Sequence, residues 1–192
     1  MAQQHAFVIG AFSTRFGRLD SATFRDLTAE AVRGAIGDAG LEADRFVDSV
    51  WFGCTGTGGW PFVVNIGQMC LHPLVQSGEI RPHTPIYNVE NACATGSQAF
   101  AGAVKDVLSG HAELALATGV EKIFNPNLDR AGILKSFSGD GAPSGDVHDA
   151  FRRENEAAYE EAARLCPAPA EGAGEKSVFM ETYAIQARLH MA

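Results

Sequence analysis

Short apolar runs alternate with helical patterns through the first part of the chain. Four runs are rich in apolar residues and too short for stable helices, so each predicts a buried strand. They are residues 6–12, 47–52, 85–89 and 114–118. Between these runs, apolar and small residues recur at helical spacing and predict helices. The helices are expected at residues 22–39 and 63–71, and from the residues after Cys93 to Leu108. Strands that alternate with helices in this way predict an α/β fold with a mainly parallel sheet.

The ends of these helices are predicted from capping and breaking residues. Ser21 is expected to cap the first helix, and Gly40 to end it. The second helix is expected to end before Pro73, because proline lacks the backbone N–H that a helix interior uses. The third is expected to end at Ser109-Gly110.

The pattern changes after residue 122. Glycine, Pro143 and polar residues mark loops up to about residue 175, interrupted by a charged helix predicted at 149–165. Ser177 is expected to cap a last helix. We therefore divide the chain into a core domain at 1–122, a loop domain at 123–175 and a helix at 176–192 that returns to the core.

Composition narrows the function classes. The 192 residues carry a net charge of −8 without a basic cluster, which argues against a nucleic-acid partner. No apolar run approaches the ~20 residues that span a membrane. The first residues also lack the basic and apolar regions of a signal peptide, so the cytoplasm is the expected location.

The four cysteines are predicted to be free thiols. They are Cys54, Cys70, Cys93 and Cys166, and no pair has Cys-x-x-Cys spacing. Cys70 and His72 form the only close Cys/His pair, and no second pair completes a metal site, so no metal is predicted.

Cys93 lies where a predicted strand turns into a predicted helix. The free N–H groups and the positive dipole end of a helix N-terminus favour the thiolate over the thiol. This is the position of a nucleophile, although many cysteines are only small buried apolar residues. The pattern alone leaves both interpretations open.

The motif around Cys93 resembles the nucleophilic-cysteine motif of thiolases. The matching stretch is Asn91 to Ala99 (NACATGSQA), and it is most similar to the sterol-carrier-protein and archaeal types. Val8 to Arg18 resembles the first strand of the family and the turn after it, and Gly110 to Lys122 resembles the strand that follows the cysteine helix. Phe179 to Met191 resembles a helix near the middle of sterol-carrier-type thiolases.

The resemblance implies the N-terminal half of a thiolase-like fold, with a mixed, mainly parallel sheet, helices on both faces and a loop-domain insertion. A complete thiolase has a second, similar half that supplies Gly-His-Pro and Cys-x-Gly motifs, and this half is absent from the sequence. The resemblance implies acyl transfer between acyl-CoA and CoA through a thioester on Cys93, whose backbone N–H would donate to an oxyanion. It also implies that the general base comes from the missing half, and that CoA is a substrate while no resident cofactor is needed.

The resemblance also implies partners and a class of substrate. The resemblance implies a dimer or association with a chain that carries the C-terminal half, and some thiolases of this branch use a zinc-ribbon and OB-fold partner. A role in lipid or steroid metabolism is an expectation of the same kind. Trp60, Phe62 and Phe124 are candidates to line an acyl pocket, although core packing would explain them equally well.

Two alternatives stay open. A β-ketoacyl synthase shares the fold and the cysteine position but usually carries a different motif. A non-catalytic thiolase-like subunit or a truncated product, acting by association, would explain the missing motifs. Three histidines, His72, His83 and His111, are expected to be surface or packing residues rather than bases. Glu90 and Asn91 are expected to brace the turn.

Overall fold

The computed structural model describes residues 5–42, 45–56, 60, 64–129, 132–133, 153, 156–158, 160–161, 164 and 178–191. The chain forms two compact units, Met1–Phe124 and Asn125–Ala192. The first unit contains helices α1 (Phe24–Asp38), α2 (Ile66–Gln76) and α3 (Thr95–Leu108), and strands β1 (Ser49–Gly53), β2 (Ile86–Val89) and β3 (Ala115–Gly119). In the second unit, α4 spans Val178–Met191.

The described strands form one parallel sheet in the order β2-β1-β3. Val50 is paired with Ile86 on one side and with Leu116 on the other. Three of the four predicted strands and the parallel arrangement are therefore confirmed. All three strands end at the same edge of the sheet, and this places the residues that follow them side by side.

Helix α3 covers the face of the sheet on which Trp51 lies. The Asp106 side chain of α3 accepts hydrogen bonds from Ser49 Oγ at 2.7 Å and from Trp51 Nε1 at 2.8 Å. The indole ring lies so close to Gly102 that a Cβ there would come within 2.2 Å of it. The buried carboxylate and the missing side chain together hold α3 close to the sheet.

Helices α1 and α2 cover the opposite face. Successive strand residues point to opposite sides, so Val50 and Phe52 face away from α3. Both are fully buried in a core with Val32 of α1 and with Leu71 and Leu74 of α2. Helices on both faces are therefore confirmed.

Helix α1 is closed at both ends by local motifs. Thr23, rather than the predicted Ser21, is the N-cap, and it exchanges hydrogen bonds with Asp26 in a capping box. At the other end Gly40 has a φ of 62°, and Leu41 N donates to Ile36 O, as in a Schellman motif. The prediction that Gly40 ends the helix is confirmed.

The predicted strand at 6–12 is wrong for the structure, which has no strand there. The segment instead lies along α1, where Ala11 N donates to Asp38 Oδ2 at 2.8 Å. Gly10 contacts Ala35 and Ala39 so closely that a Cβ would lie 2.5 Å from a backbone oxygen. Phe7, which is 81% exposed, contributes little to the core.

The prediction that α2 ends before Pro73 is also wrong. The helix continues to Gln76 with Pro73 inside it. A proline at this position removes the N–H that would donate to Met69 O, four residues earlier. Arg25 of α1 replaces it, because its Nε donates to Met69 O at 2.9 Å.

Much of the second unit lies outside the described residues, including most of the predicted loop domain and the predicted cap Ser177. Within the predicted charged helix, residues 153, 156–158, 160–161 and 164 are helical. Arg164 there donates from Nε and Nη2 to Glu161. The domain boundaries themselves stay a prediction.

Candidate active site

The carboxyl ends of the three strands meet in a tightly packed edge. Cys54 N donates to Val89 O at 3.4 Å, and Val120 N donates to Gly53 O at 3.1 Å. A Cβ on Gly119 would lie 2.4 Å from Gly53 O, so this pair of strand ends needs a residue without a side chain. Parallel sheets place ligand sites at this edge.

Cys93 follows β2 at this edge, as predicted. It lies in a single 3-10 turn, Ala92–Ala94, that leads directly into α3. The side chain is exposed and is not part of a disulfide. The preceding Ala92 has a φ of 44°, the left-handed region that residues with a Cβ rarely adopt. The thiol is therefore accessible in the turn directly before α3, on a backbone that carries local strain.

Two side chains and the backbone of Asn91 fix this turn. Thr95 Oγ1 donates to Ala92 O at 2.7 Å and accepts from Asn91 N at 2.8 Å. Glu90 Oε1 accepts from Ala92 N at 2.6 Å. The bracing role predicted for Glu90 is confirmed, whereas the contacts of Asn91 are made by its backbone, including Asn91 O, which accepts from Ala94 N at 2.8 Å. Sequence reasoning missed Thr95; its only signal was a hydroxyl two residues after the cysteine.

The two other described cysteines have a different environment. Cys54 and Cys70 are buried in the core. Burial raises the pKa of the Cys54 thiol to about 11, and the nearby Glu121 carboxylate acts in the same direction. Burial likewise raises the pKa of Cys70. Both thiols stay protonated at neutral pH, so of these three cysteines only Cys93 is placed to react.

Glu121 joins the ends of β3 and β1. Its Oε1 accepts from Thr55 Oγ1 at 2.8 Å and also from Thr55 N. Because these residues follow the two neighbouring strands, the pair holds the loop after β1 against the loop after β3.

Each described pocket candidate has a packing partner. Trp60 Nε1 donates to Lys122 O at 2.6 Å, and its ring meets Phe24 edge-on at 6.1 Å between centroids. Phe124 lies 3.8 Å from the Arg18 guanidinium in a cation–π contact. Phe62 lies outside the described residues. An acyl-binding role for these three aromatic residues stays a prediction.

Two of the candidate histidines lie at the amino edge of the sheet, opposite the edge that carries Cys93. His83 precedes the amino end of β2, and His111 follows the far end of α3. The 14 residues of α3 separate His111 from Cys93 by about 21 Å at ~1.5 Å per residue. His72 is exposed on α2. The structure therefore supplies no reason to assign any of them as the base.

The exposed apolar side chains of the first unit include residues of α3 and of the segment before α1. Phe100 and Leu108 are exposed on α3. Phe7 and Phe16 are exposed in the segment before α1, where Phe16 is 93% accessible. Exposed apolar side chains of this kind are candidates for a contact with another chain or domain.

The described ranges contain no helix long and apolar enough to cross a membrane. Within the same ranges, no group of three or more His, Cys, Asp or Glu side chains is arranged to hold a metal ion.

Comparison with known proteins agrees with the cysteine motif. Residues 6–154 match the family profile described as "Thiolase, N-terminal domain". The chain is 37% identical over 116 residues to an acetyl-CoA acetyltransferase of Methanothermobacter thermautotrophicus, a match that covers 60% of this chain and 29% of the relative. It is 33% identical over 119 residues to benzoylsuccinyl-CoA thiolase subunit BbsB of Thauera aromatica, covering 62% and 28%. It is 31% identical over 128 residues to sterol carrier protein 2 of Gallus gallus, covering 66% and 22%. The matched segments thus span less than a third of each of these relatives.

Proposed function

The chain belongs to the thiolase family, and from that premise we propose that Cys93 is the nucleophile of an acyl transfer between CoA thioesters. The observation that carries the proposal is the position of Cys93, exposed in the turn between β2 and α3 at the carboxyl edge of the sheet. The names of two relatives refer to CoA thioesters, acetyl-CoA and benzoylsuccinyl-CoA, and this supports the same substrate class here.

The proposed reaction has two steps. The Cys93 sulfur bonds to C3, the 3-oxo carbon of a 3-oxoacyl-CoA, and the bond between C2 and C3 breaks. The acetyl-CoA carbanion that leaves takes up a proton. The thiol of free CoA then attacks the thioester on Cys93 and releases the cysteine. In the reverse direction the same steps form a C–C bond by Claisen condensation.

The residues of the described edge support the first step. The 3-10 turn Ala92–Ala94 and the start of α3 offer backbone N–H groups and the positive end of the helix dipole to a charged sulfur or oxyanion. Of these, the Cys93 N–H is the proposed oxyanion donor. The buried Cys54 and Cys70 do not compete, since burial raises the pKa of each thiol.

The general base is proposed to come from a C-terminal thiolase half. His83 and His111 lie away from Cys93, so neither supplies the base in this proposal. The exposed apolar residues of α3, Phe100 and Leu108, are the proposed contact surface for that half. A homodimer, a zinc-ribbon partner and a lipid or steroid acyl group stay predictions of the resemblance.

The test is acylation measured by intact mass. The 192-residue chain is incubated with acetyl-CoA, alone and with a C-terminal thiolase half supplied as a separate chain. We expect little acylation of the chain alone and one acetyl group per chain in the mixture. The acetyl group should disappear in Cys93→Ala and persist in the matched control Cys54→Ala.

Three results would contradict the proposal. Acylation that survives Cys93→Ala would exclude the assigned nucleophile. Full acylation of the chain alone would exclude the need for a second half. No acylation in the mixture, although the two chains associate, would favour the non-catalytic alternative.

A further inference from the structure

We infer that Thr95 is a positioning residue for Cys93, and that its hydroxyl rather than its bulk fixes the placement of the thiol. The inference rests on the proposed function, because that function makes Cys93 the nucleophile. Its test does not require acyl transfer. Thr95 is the first residue of α3 and is only 6% exposed, whereas Cys93 two residues earlier is exposed.

The hydroxyl closes the backbone on the approach to Cys93. It accepts from Asn91 N at 2.8 Å and donates to Ala92 O at 2.7 Å, so one oxygen joins the Glu90–Asn91 peptide to the Ala92–Cys93 peptide. A serine or threonine hydroxyl can make both bonds at once, because it has one donor and two acceptor sites. An alanine or valine side chain can make neither.

The methyl group anchors the same residue to the sheet. A Cβ built on Gly53 would lie 2.9 Å from Thr95 Cγ2, so the two residues are in close contact. Gly53 in turn accepts from Val120 N at 3.1 Å across the sheet edge. Thr95 therefore connects the rigid strand ends to the turn that carries Cys93.

The conformation of Ala92 explains why the turn needs this support. Its φ of 44° is unfavourable for a residue with a Cβ and persists only when surrounding contacts hold it. Removal of the Thr95 hydroxyl takes away the bond to Ala92 O and the bond from Asn91 N. The 3-10 turn is then free to relax, and Cys93 loses its placement directly before α3.

The experiment compares Thr95→Ala with Thr95→Ser in the 192-residue chain. Both variants lose the methyl contact with Gly53, and only the serine keeps the hydroxyl. The readout is the rate of Cys93 alkylation by iodoacetamide at fixed pH, followed on the Cys93 peptide by mass spectrometry. Ser109→Ala is the matched control, because Ser109 Oγ donates to Asp106 O at 3.0 Å at the other end of the same helix.

We expect the alkylation rate to fall by about tenfold in Thr95→Ala, because two hydrogen bonds are lost together. Thr95→Ser and Ser109→Ala should remain within about twofold of the wild-type rate. Thr95→Val, which keeps the shape without the hydroxyl, should behave as Thr95→Ala. Circular dichroism restricts the comparison to folded variants.

Two outcomes would overturn the inference. Equal rates for folded Thr95→Ala and wild type would mean that the hydroxyl does not place the thiol. A rate for Thr95→Ser as low as that for Thr95→Ala would assign the effect to the methyl contact. Alkylation needs no acyl transfer, so a failure of the proposed function would leave this result unchanged.

Discussion

The substitution Gly102→Ala sets two physical effects against each other. Helix propensity predicts that alanine in the middle of α3 raises the free energy of unfolding by up to about 1 kcal/mol. The local geometry predicts the opposite, because the new Cβ would lie 2.2–2.6 Å from three atoms of the Trp51 ring.

The Trp51 ring has little room to move. Its Nε1 donates to the buried Asp106 carboxylate at 2.8 Å, and its centroid lies 4.6 Å from that of Tyr87. Overpacking of a well-filled core costs about 1–3 kcal/mol, and loss of a hydrogen bond to a charged group costs about 1.5–3 kcal/mol. After subtraction of a propensity gain of about 1 kcal/mol, we expect Gly102→Ala to lower the free energy of unfolding by about 1.5–5 kcal/mol.

Urea unfolding followed by far-ultraviolet circular dichroism measures this difference. The matched control is Gly37→Ala in α1, where a Cβ meets nothing within 4 Å and should stabilise by up to about 1 kcal/mol. Tryptophan fluorescence of Gly102→Ala should also change, because Trp51 loses its packing. A Gly102→Ala variant as stable as wild type would refute the close packing of α3 on the sheet.

Two further predictions concern the residues around the site. The Cys54 pKa is about 11 in the fold against an ordinary value of 9.0. The unfolded thiol therefore ionises first, and its contribution to stability is complete below about pH 9 and is lost as the pH rises towards 11. Cys54→Ala should make the alkaline loss of stability shallower in urea titrations across this range; an unchanged slope would contradict the burial of the thiol. The left-handed backbone conformation at position 92 costs a residue with a Cβ about 1–2 kcal/mol, and Ala92→Gly removes this cost. Glycine also adds conformational freedom to the unfolded chain, which offsets part of the gain, so the free energy of unfolding should rise by about 0.5–1 kcal/mol. A loss of stability in Ala92→Gly, measured by urea unfolding, would contradict the backbone conformation of the turn.

The order of helices and strands in the first unit could be predicted from the sequence because the signals are local. Apolar periodicity gave α1, α2 and α3, and short apolar runs gave β1, β2 and β3. The parallel arrangement followed from the alternation of the two. Glycine marked the ends of α1 and α3, where Gly40 and Gly110 both have positive φ.

The two wrong predictions concern segments whose structure depends on a residue far away in the sequence. Pro73 predicts the end of a helix, but Arg25, far away in the sequence, donates to Met69 O, the carbonyl that the proline leaves without its helical donor. The apolar run at 6–12 reads as a strand, but a strand also needs a neighbouring edge, and this segment bonds to Asp38 of α1 instead.

The location of Cys93 was predictable from its motif, but its supports were not. Thr95 and Glu90 read as ordinary polar residues, and only the folded backbone brings their oxygens to the peptide groups around Ala92. Asp106 is similar: a single carboxylate on an apolar helix gives no sign that it meets Ser49 and Trp51 of β1.

The N-termini of α1 and α3 differ, and the difference indicates why Thr95 and Glu90, rather than a side-chain cap, hold the turn at Cys93. Thr23 caps α1 with its side chain, so that helix uses its own residues to satisfy its first N–H groups. Ala94, at the N-cap of α3, makes no side-chain cap. A serine or aspartate at this position would occupy an N–H group of the first turn and would compete with any negative charge that develops on Cys93. The turn therefore obtains its rigidity from Thr95 and Glu90, on either side of the thiol, while the cap position itself carries no side-chain acceptor. A helix N-terminus built in this way suits the binding of a charged sulfur or oxyanion better than a capped one.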